Sequence, residues 1–240
     1  MRVAVIGAGA HSRKHHGASL RQVGQTMPGL ELAAVCDIDA ETAEAYAAEF
    51  GFARTYTDWR AMVDTEAPDA IVSVTPIALT RKLAAAVLET GIPVLIEKPP
   101  GRTPNEAREL AAVAAQTGTP HLVSFNRRFI PALTKARAWL QDRRVDQINA
   151  RMLRVGRHQL DFIMETGIHL VDTVLSLLPA AATLSASRRW TTPDGGQSCQ
   201  GSLCSAGNSA ATLTIAPDCG RHQETYEVLG PGFQVWIDAA

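Results

Sequence analysis

The first twelve residues, MRVAVIGAGAHS, constrain this chain more than any other stretch. Val3, Ala4, Val5 and Ile6 form an apolar run with no polar face, the pattern of a parallel strand covered on both sides by helices. The run breaks directly into Gly7, Ala8, Gly9, Ala10, His11 and Ser12. Gly7 permits a tight turn out of the strand. Gly9 has no side chain to keep a pyrophosphate from the backbone amides that open the next helix. Gly7, Gly9, Ala10, His11 and Ser12 are therefore expected to form a dinucleotide-binding turn, against the alternative that the two glycines only shape a bend. Ser12 stands where the G-x-G-x-x-G fingerprint has its third glycine, and is expected to loosen the helix slightly against the strand.

The same fingerprint calls for an acidic residue about 20 positions on, at the end of a second strand. Leu32, Ala33, Ala34, Val35 and Cys36 lead into Asp37. The longer interval is expected to come from an added turn around Thr26, Met27, Pro28 and Gly29. Asp37 can accept hydrogen bonds from the adenosine ribose hydroxyls and would repel a ribose phosphate, so NAD is expected, with NADP disfavoured.

A length of 240 residues suffices for two modest domains, and the formal net charge of -1 comes from scattered charges. No basic face points to nucleic acid or to a membrane surface, so a small-molecule partner is expected. No apolar run approaches the roughly twenty residues that span a bilayer, and Met1 leads into a strand rather than a signal peptide, from which a cytoplasmic location is expected. Cys36, Cys199, Cys204 and Cys219 lack paired C-x-x-C spacing, so reduced thiols and no metal are expected.

Along the chain, Ala40–Phe50 reads as a helix stopped by Gly51, residues 54–56 as a short strand, and Asp58 as the cap of a short helix reaching Val63. Pro68-Asp69 introduces a strand over residues 70–74, after which Thr75 and Pro76 fall at the strand end where ligands lie in open parallel sheets. They are expected to border the nicotinamide half of the cofactor, or else to form an ordinary turn. A helix over residues 79–90 leads to the strand of residues 93–96, which delivers Glu97, Lys98 and Pro99 to the same edge. There the lysine can hydrogen-bond a substrate hydroxyl and favour the alkoxide as hydride leaves.

Taken together, GAGAHS, Asp37, Thr75-Pro76 and Glu97-Lys98-Pro99 resemble the glucose-fructose oxidoreductase, inositol dehydrogenase and rhizopine-catabolism family, Gfo/Idh/MocA, of which Glu-Lys-Pro is the best marker. The resemblance implies an α/β chain: an N-terminal Rossmann doubly wound parallel sheet, then a smaller α+β domain with a mostly antiparallel sheet. It further implies NAD or NADP bound between the domains, and sugars or cyclitols as substrates. Residues 1–122 are expected to form the NAD-binding domain and residues 123–240 a shortened substrate and oligomerisation domain.

Past residue 103 a helix over Pro104–Thr117, a strand over residues 121–125 and a Pro131-led helix to Leu140 follow. Asn126, Arg127 and Arg128 between them are similar to a family segment bordering the substrate pocket. Arg127 or Arg128 is expected either to bind substrate hydroxyls or a carboxylate or to make a domain-bridging salt link. Residues 146–155 alternate as a strand, with Ile148, Ala150 and Met152 facing one way and Asn149, Arg151 and Leu153 the other.

Residues 159–178 read as a helix with a largely apolar face through Phe162, Ile163, Thr166, Leu170, Thr173, Val174 and Leu177. On it Glu165 and His169 stand one turn apart and can act on one ligand. Glu165, Gly167, His169 and Asp172 resemble the family's acid, Gly, His, Asp motif, with Glu165 in place of the usual Asp. By that resemblance His169 is the general acid/base, Lys98 shares its hydrogen bond, and Glu165 orients substrate hydroxyls, while Asp172 is expected to cement the helix rather than touch ligand. An imidazole suits proton transfer near neutral pH. His15 and His16 lie on the first helix, one of them where the resembled family often has a histidine facing the cofactor cleft, although surface positions explain both. His11 in the turn is expected to be exposed, and His121, His158 and His222 are taken as structural or solvated.

Five strand-like segments joined by turns such as Pro193–Gly196 and Pro231-Gly232 complete an antiparallel sheet. The ending YEVLGPGFQVWID resembles a strand pair that relatives carry well before their own terminus, so a shortened or truncated form is expected. An open sheet edge is then expected to be covered by another subunit, giving a dimer or tetramer. Three functions follow: an NAD-dependent oxidoreductase acting on a secondary hydroxyl or ketone of a sugar or cyclitol, an NAD-dependent glycosidase, and a catalytically silent NAD-binding regulator or scaffold.

Overall fold

The computed structural model describes residues 1–157, 161–193 and 195–239 and divides into two compact units, Met1–Ser124 and Phe125–Ala240. His158, the expected helix start at Gln159 and Asp194 of the expected turn lie outside the described residues.

In the first unit the strands β1 (Arg2–Ile6), β2 (Glu31–Cys36), β3 (Arg54–Tyr56), β4 (Ala70–Ser73), β5 (Val94–Ile96) and β6 (His121–Val123) form one sheet in the order β3-β2-β1-β4-β5-β6. Every pairing is parallel. This is the order of a doubly wound dinucleotide-binding fold, whose ligand crevice opens beyond the carboxyl ends of β1 and β4, where the winding reverses. The helices are α1 (Ala18–Thr26), α2 (Ala40–Phe50), α3 (Trp59–Glu66), α4 (Ile77–Leu88) and α5 (Pro104–Thr117).

The all-apolar strands are explained by where their side chains go. Val3 and Val5 pack with Val35, Val72 and the α2 residues Tyr46, Ala47 and Phe50 on one face. Ala4 and Ile6 pack with Ile71, Ile96 and residues of α3, α4 and α5 on the other. Local signals fix the helix ends. Asp39 caps α2 by accepting from the amides of Glu41 and Thr42, and Gly51 closes it in the left-handed conformation. Thr103 accepts from the Glu106 amide while the Glu106 carboxylate accepts from the Arg102 amide, with Pro104 in the first turn of α5. Helix α3 runs one turn past the expected Val63, because Glu66 is buried at its end between Arg2, Arg54 and Tyr56.

The second unit carries the helices α6 (Pro131–Leu140) and α7 (Ile168–Leu177) and the strands β7 (Gln147–Leu153), β8 (Ala182–Thr191), β9 (Gln197–Ser205), β10 (Ala210–Ala216), β11 (Gln223–Gly230) and β12 (Phe233–Asp238). Their order is β12-β11-β7-β10-β9-β8, antiparallel except for the parallel pair β7 and β10. Alternation sets the two faces. Ile148, Ala150 and Met152 are buried in a core with Leu213, Ile215, Tyr226 and the α6 and α7 residues Leu133, Leu170 and Val174. On the opposite side Thr212 donates to Asn149 at 2.7 Å and Asn149 donates to Glu227 at 2.8 Å, a polar ladder across three strands.

Regular α geometry is interrupted twice. Residues Ser12–Gly17 and Ile163–Gly167 take π-helical hydrogen bonding, so neither expected helix is regular from its start. The extra length between β1 and β2 thus includes the Ser12–Gly17 segment as well as the turn after Thr26.

Gly7, at φ 100°, has a fixed requirement: a Cβ there would lie 1.8 Å from the Val74 carbonyl oxygen. Gly7→Ala is expected to lower stability by roughly 3 kcal/mol or more, through the combined cost of the left-handed backbone and the clash. Urea denaturation checks this, and a midpoint equal to that of the parent protein would contradict it.

Candidate functional site

The turn after β1 is held from three sides. The Gly7 amide donates to the Cys36 carbonyl at 2.8 Å, and the Val74 amide donates to the Ile6 carbonyl at 2.8 Å, tying the ends of β2 and β4 to the turn. The Ala8 amide donates to Asp37 Oδ2 at 2.8 Å, and the Asp39 amide to Asp37 Oδ1 at 3.2 Å. Asp37 therefore sits at the base of the turn, each carboxylate oxygen retaining a lone pair for a further donor.

Gly9 differs from Gly7. A Cβ on Gly9 would meet nothing within 4 Å, so no protein packing demands a glycine here, and the space over the turn is open to a ligand. The first amides of a helix have no partner within it, which leaves those near Ala10 and His11 suited to an anion. Thr75 Oγ1, at the end of β4, is buried with no hydrogen-bond partner among the described residues. Pro76 follows it as the cap of α4. An open turn, a carboxylate at its base and an orphaned hydroxyl at the neighbouring strand end fit a dinucleotide.

Ser12 is buried, and its hydroxyl is hydrogen-bonded to the Tyr46 hydroxyl at 3.0 Å, which ties the helix to α2. Close approach occurs at Gly17, where a Cβ would lie 2.5 Å from the Phe50 ring.

Glu97 leaves β5 with its amide donating to the Ser73 carbonyl at 2.9 Å, and its carboxylate is buried. His16 Nε2 lies 2.8 Å from Oε2, His11 Nε2 lies 3.5 Å from Oε1, and Lys98 Nζ lies 3.9 Å from Oε1. Burial pushes the Glu97 carboxyl up, but the hydrogen bonds and positive charge of the two histidines outweigh it and hold the group down to about 2. Of the two readings of His16, the surface position is not what the structure has: it pairs with Glu97 across 81 positions, a pairing that no local pattern records. His11, half exposed, lies against the same carboxylate. The His15 ring stands 4.7 Å from that of His11, and burial followed by the charges of His11, Lys14 and His16 lowers its pKa.

In the second unit, Glu165 lies in the π segment and His169 in the first turn of α7. The π hydrogen bonding shifts Glu165 from the side that regular α spacing gives it. His169 is buried, with the Phe125 ring edge-on at 6.2 Å between centroids. Gly167 lets the helix approach β10, since a Cβ would lie 2.9 Å from the Ile215 side chain.

Both arginines after Phe125 make ion pairs within this unit. Arg128 grips Asp172 with two bonds, Nε to Oδ2 at 2.8 Å and Nη2 to Oδ1 at 2.5 Å, so Asp172 fastens α7 as expected. Arg127 Nε donates to Glu224 at 3.0 Å, and Arg154 donates to the same buried carboxylate at 2.5 Å. The Arg127 fork retains two Nη groups besides.

The first unit is, by its strand order and turn, a dinucleotide-binding Rossmann domain. The family described as "Oxidoreductase family, NAD-binding Rossmann fold", GFO_IDH_MocA, matches residues 1–125, and the chain belongs to that family. The chain is 30% identical over 203 residues to D-glucoside 3-dehydrogenase of Escherichia coli, covering 78% of this chain and 57% of that protein. It is 34% identical over 134 residues to inositol 2-dehydrogenase 4 of Saccharopolyspora erythraea, covering 55% of this chain and 38% of the other. The chain thus spans about half the length of the curated relatives it matches. A dehydrogenase structure from Chromobacterium violaceum superposes with a TM-score of 0.89 over 99% of this chain and 72% of that one, at 18% identity, showing the shared fold.

Gly9→Ala is expected to leave thermal stability nearly unchanged while weakening NAD binding at least tenfold, because the methyl group enters only the ligand's space. Differential scanning fluorimetry with an NAD titration separates the two. Unchanged NAD affinity would remove the turn from the site.

Proposed function

We propose that the protein is an NAD-dependent oxidoreductase that moves a hydride between nicotinamide and a secondary hydroxyl or ketone of a sugar, sugar derivative or cyclitol. The observation that carries this reading is the open Gly9 turn with Asp37 at its base, in the unit that also holds Glu97 and Lys98 at the carboxyl end of β5. The relatives named for D-glucoside 3-dehydrogenase and inositol 2-dehydrogenase activity support the substrate class. Residues 1–122 are assigned as the NAD-binding domain, and residues 123–240 as the substrate and oligomerisation domain.

Gly7, Gly9, Ala10, His11 and Ser12 form the pyrophosphate turn in this reading, and Asp37 accepts from the adenosine ribose hydroxyls. Its charge disfavours the phosphate of NADP. Thr75, Pro76, Glu97 and Lys98 border the nicotinamide end. When bound, the nicotinamide accepts hydride from the carbinol carbon.

Lys98 donates to the reacting oxygen and favours its alkoxide character. His169 takes the hydroxyl proton during oxidation and returns it during reduction. Glu165 and Arg127 hold neighbouring substrate hydroxyls, which fixes the carbon presented for reaction. The NAD pool and four unpaired cysteines suit a reducing, cytoplasmic location. No described helix is long and apolar enough to cross a membrane.

Oligomerisation is assigned to the sheet of the second unit. Residues 183–191 of the edge strand β8 are exposed, including Leu184 and Trp190, and a second copy would cover them. Light scattering is expected to give a dimer or tetramer, and a monomer at micromolar concentration would contradict this assignment.

Incubation with NAD and a panel of glucosides, inositols and free sugars is expected to raise absorbance at the NADH band for at least one compound, with NADP a poorer cofactor. His169→Gln is expected to lower kcat by about 10²–10⁴ with NAD affinity retained. A panel silent in both directions, with NAD still bound, would instead leave a nucleotide-binding regulator.

A further inference from the structure

Outside the residues assigned to proton transfer, the most concentrated set of ligating side chains is His11, His16 and Glu97, all within the first unit. One ligand atom from each lies within 4.8 Å of the others. The geometry points to a binding site for a first-row divalent transition-metal ion of the zinc type, held by the two imidazoles and the Glu97 carboxylate and completed by water. Two of these donors, His11 and Glu97, are also assigned to the dinucleotide site, so the inference goes beyond the oxidoreductase reading at shared residues and is tested without dinucleotide.

The donor set is chemically selective. Two imidazoles and one carboxylate suit zinc, cobalt, nickel and iron far better than magnesium or calcium, which take oxygen ligands. Three protein ligands with further positions open is the composition of a zinc site that exchanges solvent, unlike the closed four-ligand sites built from cysteine.

The spacing is suitable as well. Donors about 2.0–2.2 Å from a tetrahedral or octahedral ion stand about 3–3.5 Å apart. The His16 to Glu97 separation is 2.8 Å and the His11 to Glu97 separation is 3.5 Å. These two distances run to different carboxylate oxygens, Oε2 and Oε1, and with the three donor atoms within 4.8 Å of one another the set must draw together around an ion; His11 has the freedom to do so, since half its side chain is exposed. That exposure also opens a path for the ion from solvent, while the Glu97 end is fixed by the hydrogen bond its backbone amide donates to the Ser73 carbonyl and by burial.

The backbone between the histidines supports the arrangement. Residues five apart do not share a side of a regular α-helix, but the i to i+5 hydrogen bonding of Ser12–Gly17 brings His11 and His16 to one carboxylate. One feature opposes a cation: Lys98 Nζ lies 3.9 Å from Glu97 Oε1. Affinity is therefore expected to be weaker than that of a structural zinc site.

Titration of the full chain with Co²⁺, without dinucleotide, is expected to give visible ligand-field absorption saturating at one ion per chain and displaced by Zn²⁺. His11→Gln, whose half-exposed position makes folding secure, and His16→Gln are each expected to weaken Co²⁺ binding at least tenfold. His15→Gln, outside the donor set, is expected to leave it within twofold. Thermal melts in parallel confirm that each variant is folded.

The inference is overturned if the parent protein binds no Co²⁺, or if binding survives in both His11→Gln and His16→Gln, which would place the ion on other histidines. The readout is independent of turnover and of NAD, so failure of the metal site and failure of the oxidoreductase reading are separately visible.

Discussion

The approach of Gly7 to the Val74 carbonyl is the contact on which the first unit depends. With a Cβ position only 1.8 Å from that oxygen, the turn can pass only as glycine. Its passage brings the ends of β1, β2 and β4 into hydrogen-bonding register through Cys36 and Ile6. From this follow the reach of Asp37 to the Ala8 amide and the position of Thr75 beside the turn. The same parallel sheet carries Glu97 and Lys98 at the end of β5. A backbone constraint thus sets out the parts of the proposed nucleotide site, and the side chains populate it.

Much of this frame was legible in the residues, for physical reasons that differ between elements. The strands β1 and β4 announce themselves because both faces are buried, leaving no polar alternation. The helices α2, α5 and α6 have their observed limits at the expected residues, since Asp39, Thr103, Pro131, Gly51 and Gly118 act within a turn of their own positions. The alternation over β7 assigned its two faces for the same local reason. Illegible were the features set by distant partners. The parallel pairing of β7 with β10 joins residues some sixty positions apart, and period-two alternation is the same for either strand direction.

The candidate site shows the same division. Asp37 and the Glu97-Lys98-Pro99 triplet were placed by their position after apolar strands, whereas the neighbours of Glu97 were not. Two π segments break the 3.6-residue period on which helical spacing relies, one between His11 and His16 and one through Glu165. Ser12, read as a weak substitute for glycine, instead makes a buried hydrogen bond to Tyr46, a partner 34 positions away. In the second unit, charge identity was readable but pairing was not. Arg127 and Arg154 both pair with the buried Glu224 carboxylate, and their two charges offset the cost of its desolvation. The Arg128 fork on Asp172 likewise fixes the helix that carries His169.

The central claim is that the Gly7 to Ser12 turn and Asp37 together hold the dinucleotide. A crystal structure of the protein with NAD tests it most directly. The pyrophosphate is expected on the amides of the turn above Gly9, with the adenosine ribose hydroxyls donating to Asp37. An NAD molecule bound elsewhere, or a ribose turned away from Asp37, would contradict the account.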